Sequence, residues 1–185
     1  DLHLSIRRQR QMCIRDRGDD ILLQTPYIIC NDKMYNDLEA LAETRQLRVL
    51  TNAVENGANP SGCSDYLREK QNILSRGVDV YEVVCGQSLH TKTILIGNDL
   101  SVVGSFNADM RSAYLDTELM LVIESEEVNA ALREESGKYM GQSRLALHDG
   151  GTEHGARFEE MTLPWAKRAL YTILSVVQRP IRHLL

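Results

Sequence analysis

The chain has 185 residues, 43% of them hydrophobic, with 26 acidic against 21 basic side chains for a formal charge of −5. That is enough apolar material for one core in a single domain, while no run approaches the ~20 apolar residues that cross a bilayer as a helix. The acidic balance also argues against broad nucleic-acid binding, which needs a basic face.

Asp1 to Arg17 differs in character from the rest of the chain. Arg7 to Arg17 resembles the translation of a transposase-type sequencing-library adaptor, and Asp1-Leu2-His3 fits the primer that precedes one. We therefore set residues 1–17 aside as a leader outside the fold; a natural basic arm for nucleic acid is the competing reading. The segment holds five Arg and two Asp, which leaves 16 basic and 24 acidic residues beyond it, a balance of −8. In that remainder Cys30, Cys63 and Cys85 form no C-x-x-C pair. They read as buried thiols of a reducing compartment, with neither disulfide nor zinc suggested.

In chain order, Ile21 to Thr25 reads as a short buried strand stopped by Pro26, which lacks a ladder donor. Asp32 to Thr44 has helical spacing, with Met34, Leu38 and Leu41 on one stripe. Arg48 to Asn52 is the next strand, and residues 57–62 read as a loop. Asp65 to Ser75 is helical, closed by Gly77 as a left-handed cap, and Val78 to Val83 alternates as a half-buried strand. His90 to Ile96 and Leu100 to Val103 form two strands joined by Gly97-Asn98-Asp99, a hairpin in which Gly97 takes a positive φ. Leu119 to Ile123 is a further strand, Ser125 to Met140 a charged amphipathic helix, and residues 148–155 a polar loop. The order predicts an α/β domain, a mixed β-sheet flanked by helices, over residues 18–163.

The tail, residues 164–185, begins at Pro164, a first-turn residue, and predicts a C-terminal amphipathic helix. Trp165, Ala169, Leu170, Ile173, Leu174 and Val177 make its apolar face, and Lys167, Arg168, Arg179 and Arg182 supply positive charge. Such a helix suits an anionic membrane surface; docking on its own core is the equal alternative.

Chemistry concentrates in Ser88-Leu89-His90-Thr91-Lys92 and Gly104-Ser105-Phe106-Asn107. In extended chain, residues i and i+2 share a face, so His90 and Lys92 project side by side with Ile94 and Ile96 continuing the row. A proton-transfer or nucleophilic group beside a fixed positive charge is what displacement at phosphorus requires, and Ser105 and Asn107 add neutral donors. This pattern resembles the phospholipase D superfamily, whose signature runs H-x-K-x4-D-x6-G-S-x-N. His90, Lys92, Gly104, Ser105 and Asn107 fall in register; the signature's Asp does not, its place being held by Gly97, with Asp99 two residues later. Asp109-Met110-Arg111-Ser112, Leu115 to Glu118, Leu23 to Tyr27 and Pro180 to Leu185 extend the resemblance to the bacterial cardiolipin synthase-like branch, over roughly Gly18 to Leu185.

The resemblance implies phosphatidyl transfer on phospholipids through a phosphohistidine, with no metal or cofactor, by an enzyme lying peripherally on the cytoplasmic face of a bacterial inner membrane. In the family two H-x-K motifs meet: one His attacks phosphorus, and the other protonates the leaving alcohol and activates the acceptor. This chain holds a single such motif, matching the C-terminal one, so His90 is expected to be the acid and base. Its partner would come from a missing N-terminal half or, alternatively, from a homodimer mate. Lys92 and Asn107 would hold phosphate oxygens with Ser105 assisting, Glu118 would bond an imidazole, and Arg111 would approach the headgroup or pair with Asp109 or Asp116. No nucleic acid is expected. A phosphodiesterase or nuclease, and an inactive half-domain, are the alternatives. Gly97 lies some ~16 Å along the strand from Lys92, which favours a structural role for the signature's Asp, with Asp99 as a substitute.

Overall fold

The computed structural model describes residues 20–184; the leader over residues 1–17 lies outside them. Ten strands and five α-helices come in the order β1 (Asp20–Gln24), β2 (Ile28–Ile29), α1 (Asp32–Ala42), β3 (Gln46–Asn52), α2 (Pro60–Ser75), β4 (Asp79–Val83), β5 (Thr93–Ile96), β6 (Leu100–Gly104), β7 (Ala108–Asp109), α3 (Met110–Tyr114), β8 (Met120–Glu124), α4 (Glu126–Met140), β9 (Ser143–Ala146), β10 (Thr152–His154) and α5 (Trp165–Val177). A 3-10 turn, Arg179–Leu184, ends the described chain.

Eight strands form one mixed sheet in the order β10-β9-β4-β3-β1-β5-β6-β8, and β2 pairs in parallel with β7 in a separate ribbon. β1, β3 and β4 run parallel because helices connect them; the rest of the sheet is antiparallel. The predicted mixed sheet flanked by helices is therefore the architecture observed. Ile21, Val49, Val80 and Ile96 face α1, α2 and α5, burying Tyr35, Tyr66, Ile73 and Tyr171 in one cluster. On the opposite face Leu22, Leu50 and Leu95 pack under α4 through Leu132, Tyr139 and Met140. Cys30 and Cys63 are buried free thiols and Cys85 is half-buried; burial pushes Cys30 up to about 12.

Three expectations are corrected. Residues 60–62 are not loop but the first turn of α2, since Asn59 caps Ser61 N and Gly62 N and Pro60 needs no amide donor there. A polar loop over 148–155 is interrupted by β10, which pairs with β9. The strand expected from His90 starts only at Thr93, because β1 ends opposite it at Gln24 and Pro26 comes next but one, leaving His90 and Lys92 no ladder partner on that side. Gly77 is left-handed at φ 79°, as predicted for a cap.

Charge is also buried. Glu82 is 2% exposed, accepting from Tyr66 Oη at 2.8 Å and Arg144 Nε at 2.7 Å, with Lys70 Nζ at 2.8 Å. Burial alone would raise its carboxyl, but Lys70 and Arg144 hold it below the usual range. Such a group stabilises fully above its unfolded pKa of ~4.3 and loses that contribution as pH falls through the folded value. Thermal melts of Glu82→Gln should show a loss of about 3 kcal/mol at pH 7, at the low end for a broken buried pair because both cations can turn toward water. The gap to the parent should close below about pH 4.

Candidate active site

The spacing of the motif arises from the β5–β6 hairpin. Its turn spans residues 97–99, with Gly97 at φ 55°, and Thr93 pairs with Val103. One step outward, Lys92 O accepts from Gly104 N at 3.2 Å, so the end of H-x-K stands opposite the start of G-S-x-N. Beyond the ladder the chain is held by a side chain. Asn52, at the end of β3, accepts from Leu89 N at 2.7 Å and donates to Leu89 O at 2.9 Å and to Pro26 O at 2.8 Å. Asn52 thus replaces the missing ladder and fixes the residue just before His90.

His90 is exposed and Lys92 half-buried. Lys92 Nζ lies 3.1 Å from His90 Nδ1 and 3.4 Å from Nε2, and donates to His90 O at 3.0 Å. The structure thus brings imidazole and ammonium together without a formal strand beneath them. Burial lowers the Lys92 pKa from its ordinary value, opposed by the charges of Glu118 and Asp109. Beside His90, a cavity of about 230 Å³ runs past Tyr27, Asn59 and Ser88 toward Cys63.

Asn107 is anchored by its backbone, whose N–H donates to Ser112 Oγ at 3.2 Å. Its Nδ2 makes only long contacts, 3.5 Å to Tyr27 Oη and 3.4 Å to Ser112 Oγ, leaving it able to turn to a stronger acceptor. Ser105 Oγ donates to the Glu118 carboxylate and accepts from Leu119 N at 3.0 Å. Glu118 therefore meets Ser105, and among the described residues it makes no hydrogen bond to His90. Arg111 pairs with Asp116 at 2.8 Å, the ion-pair alternative of the two considered for it. Asp109 caps α3 at Ser112 N.

Gly104 is required by close packing rather than by φ. A Cβ there would overlap the Leu119 carbonyl and the Met120 backbone, neither of which can swing aside. Gly104→Ala should therefore cost about 2–3 kcal/mol, the upper part of the range for overpacking, read as a fall in melting temperature.

At the signature's Asp position, Arg133 donates to Gly97 O from Nη2 at 2.7 Å and to Asp20 Oδ2 from Nη1 at 2.7 Å. Asp20 also pairs with Arg48. The carboxylate that meets Arg133 beside the turn comes from the start of β1, which no local reading of residues 97–99 would find.

The sequence model of the family described as cardiolipin synthase, PLD-like domain, matches residues 13–139. The chain belongs to this branch of the phospholipase D superfamily. Cardiolipin synthase A of Cronobacter sakazakii is 32% identical over 127 residues, which are 68% of this chain and 25% of that protein; the protein of the same name from Salmonella arizonae matches equally. This phospholipase D-like chain thus spans about a quarter of the length of the curated relatives it matches. Two solved structures share its fold. A phosphatidylserine synthase of Haemophilus influenzae aligns with TM-score 0.61 at 14% identity, over 93% of this chain and 43% of that one. Nuc, a phospholipase D family member of Salmonella typhimurium, aligns at 0.58 and 15%, over 74% and 90%.

Asn52, Tyr27 and Ser112 support the site, yet the sequence pattern assigns them no role. Tyr27 and Ser112 stand inside stretches that carry the resemblance, which was the available signal. Asn52 had none, since its work is done on a loop far away in sequence.

Proposed function

We propose that this chain supplies the acid–base half of a phosphatidyl-transferring site on phospholipids. The observation that carries the reading is the hairpin register that sets Lys92, the end of H-x-K, opposite Gly104, the start of G-S-x-N, in a chain of the cardiolipin synthase-like family. In the first step a first His, supplied by the other half, attacks phosphorus, an N–P bond forms and the P–O bond breaks, and His90 gives its proton to the departing alkoxide. In the second, His90 takes the proton of the acceptor hydroxyl, whose oxygen attacks phosphorus and releases the first His. Lys92 and Asn107 stabilise the phosphate oxygens throughout. The other half comes from the same polypeptide or from a second copy. Exposed Leu119, Leu121 and Val122 lie at the edge strand β8, beside Ser105 and Glu118, and are the apolar surface such a half would cover. Incubated alone with phosphatidylglycerol vesicles, the monomeric chain should form no cardiolipin, whereas fusion to an N-terminal H-x-K half should restore it; product from the monomer would refute the half-site reading.

The helix α5 supports a membrane-bound setting. It docks through Tyr171, Leu174 and Gln178, the last donating to Ser64 Oγ at 2.8 Å, so only Leu174 of the predicted apolar face turns inward. Trp165, Ile173 and Val177 are 84%, 60% and 65% exposed. Arg182, expected among the surface charges, is instead held by Asp65, which leaves Lys167, Arg168 and Arg179 to meet anionic lipid on the cytoplasmic face. Ile173→Asp should abolish co-flotation with anionic vesicles while leaving the melting temperature unchanged, because the residue packs outward.

A further inference from the structure

On the face of the sheet that α1 covers lies a cavity of about 220 Å³, lined by Leu23, Met34, Leu38, Ile94, Phe106 and Ala108 among others. Its one charged lining residue, Asp37, is paired with Lys33 at 2.7 Å. The space equals about seven water molecules at ~30 Å³ each, yet its apolar walls offer water few partners. The groove opens to solvent where Asp37 and Leu41 line it.

The cavity is joined to the candidate active site by register. Ile94, on β5, lies two residues after Lys92, at most ~7 Å along the chain, and Leu23 stands opposite it in the β1–β5 ladder. Phe106 and Ala108 flank Asn107 on both sides in sequence. A phosphate held by Lys92 and Asn107 therefore has an apolar slot within the reach of a three-carbon glycerol linker. We propose that this groove binds one acyl chain of the phospholipid whose phosphate occupies the site. The assignment rests on the phosphatidyl-transfer function proposed for the chain and adds to it a lipid-chain subsite that aligns the donor. Each methylene buried there favours binding roughly fourfold, so two or three give at least a tenfold preference for chain-bearing over chain-free ligand.

The test is titration of the full chain, monitored by methyl NMR, with dihexanoyl-phosphatidylglycerol below its micelle concentration and with glycerophosphoglycerol, the same headgroup without chains. The acylated ligand should bind at least tenfold more tightly and should alone shift the methyls of Leu23, Leu38 and Ile94. Leu38→Trp, which fills the groove, should remove that preference and leave glycerophosphoglycerol binding unchanged; Met34→Trp serves the same end if the first variant does not fold. Equal binding of the two ligands, or a preference that survives a filled groove, overturns the acyl subsite and spares the phosphate site. Binding of neither overturns both.

Discussion

In an enzyme carrying both H-x-K halves, His90→Ala should lower phosphatidyl transfer by about 10²–10⁴-fold, the usual range for loss of a positioned acid–base group, with little change in melting temperature. His90 is exposed and fills no part of the core, so its removal leaves the fold intact. The role can be separated from that of a nucleophile by the leaving group. A phosphodiester with a p-nitrophenyl leaving group needs no protonation, so the first-step penalty of His90→Ala should shrink strongly on it, and a phosphohistidine should still form on the other half. If the penalty is the same for alkyl and p-nitrophenyl esters, His90 is the nucleophile and the assignment of halves is reversed. Lys92→Met should be severe for both esters, since charge at the phosphate oxygens is needed whatever the leaving group.

Asp65→Ala should produce the largest loss of stability, about 3–5 kcal/mol, as expected when one member of a buried ion cluster is deleted. The Asp65 side chain is fully buried and receives Arg182 through two bonds, Nε at 2.7 Å and Nη2 at 2.9 Å, together with Arg68 at 2.6 Å. Without it Arg182 loses its carboxylate and faces the Arg68 guanidinium, which keeps only Glu69 at 2.8 Å as an ion-pair partner, and the 3-10 turn after α5 loses its ion-pair tie to α2. For a chain of this size the melting temperature should fall by roughly 10–15 °C. Limited proteolysis should cut first near Arg179 in this variant. Arg182→Ala should cost less, because Arg68 remains on Asp65. Were Asp65→Ala to melt like the parent, the turn would be held by Gln178 and Tyr171 alone.

How far the sequence reaches depends on the range of the interactions. His90, Lys92, Ser105 and Asn107 could be placed together because one tight hairpin, closed at a left-handed Gly97, joins their segments. The long helices α1 and α4 were legible from their apolar and charged spacing, and the structure adds Ser125 as the cap of α4, accepting from Val128 N. The two-residue strands β2 and β7, the four-residue β9 and the single turn α3 carry too few residues for any period to show. Of these, β7 and α3 nevertheless position Asn107 and Asp109, through Ala108 N donating to Thr25 Oγ1 at 3.1 Å and Asn107 N to Ser112 Oγ at 3.2 Å.

By itself, then, the sequence determined the family, the layered α/β class and the local row of chemical groups on the hairpin, because each depends on neighbours in the chain. Only the tertiary structure decided that Asn52 steadies Leu89 beside His90, that Asp20 meets Arg133 at the vacated Asp position, and that Glu118 lies on Ser105. It also decided which side of α5 turns outward: periodicity defines an apolar stripe, but Tyr171, Gln178 and the Asp65–Arg182 pair choose the face that docks. These contacts join residues distant in sequence, and their energies arise from burial that no local pattern encodes.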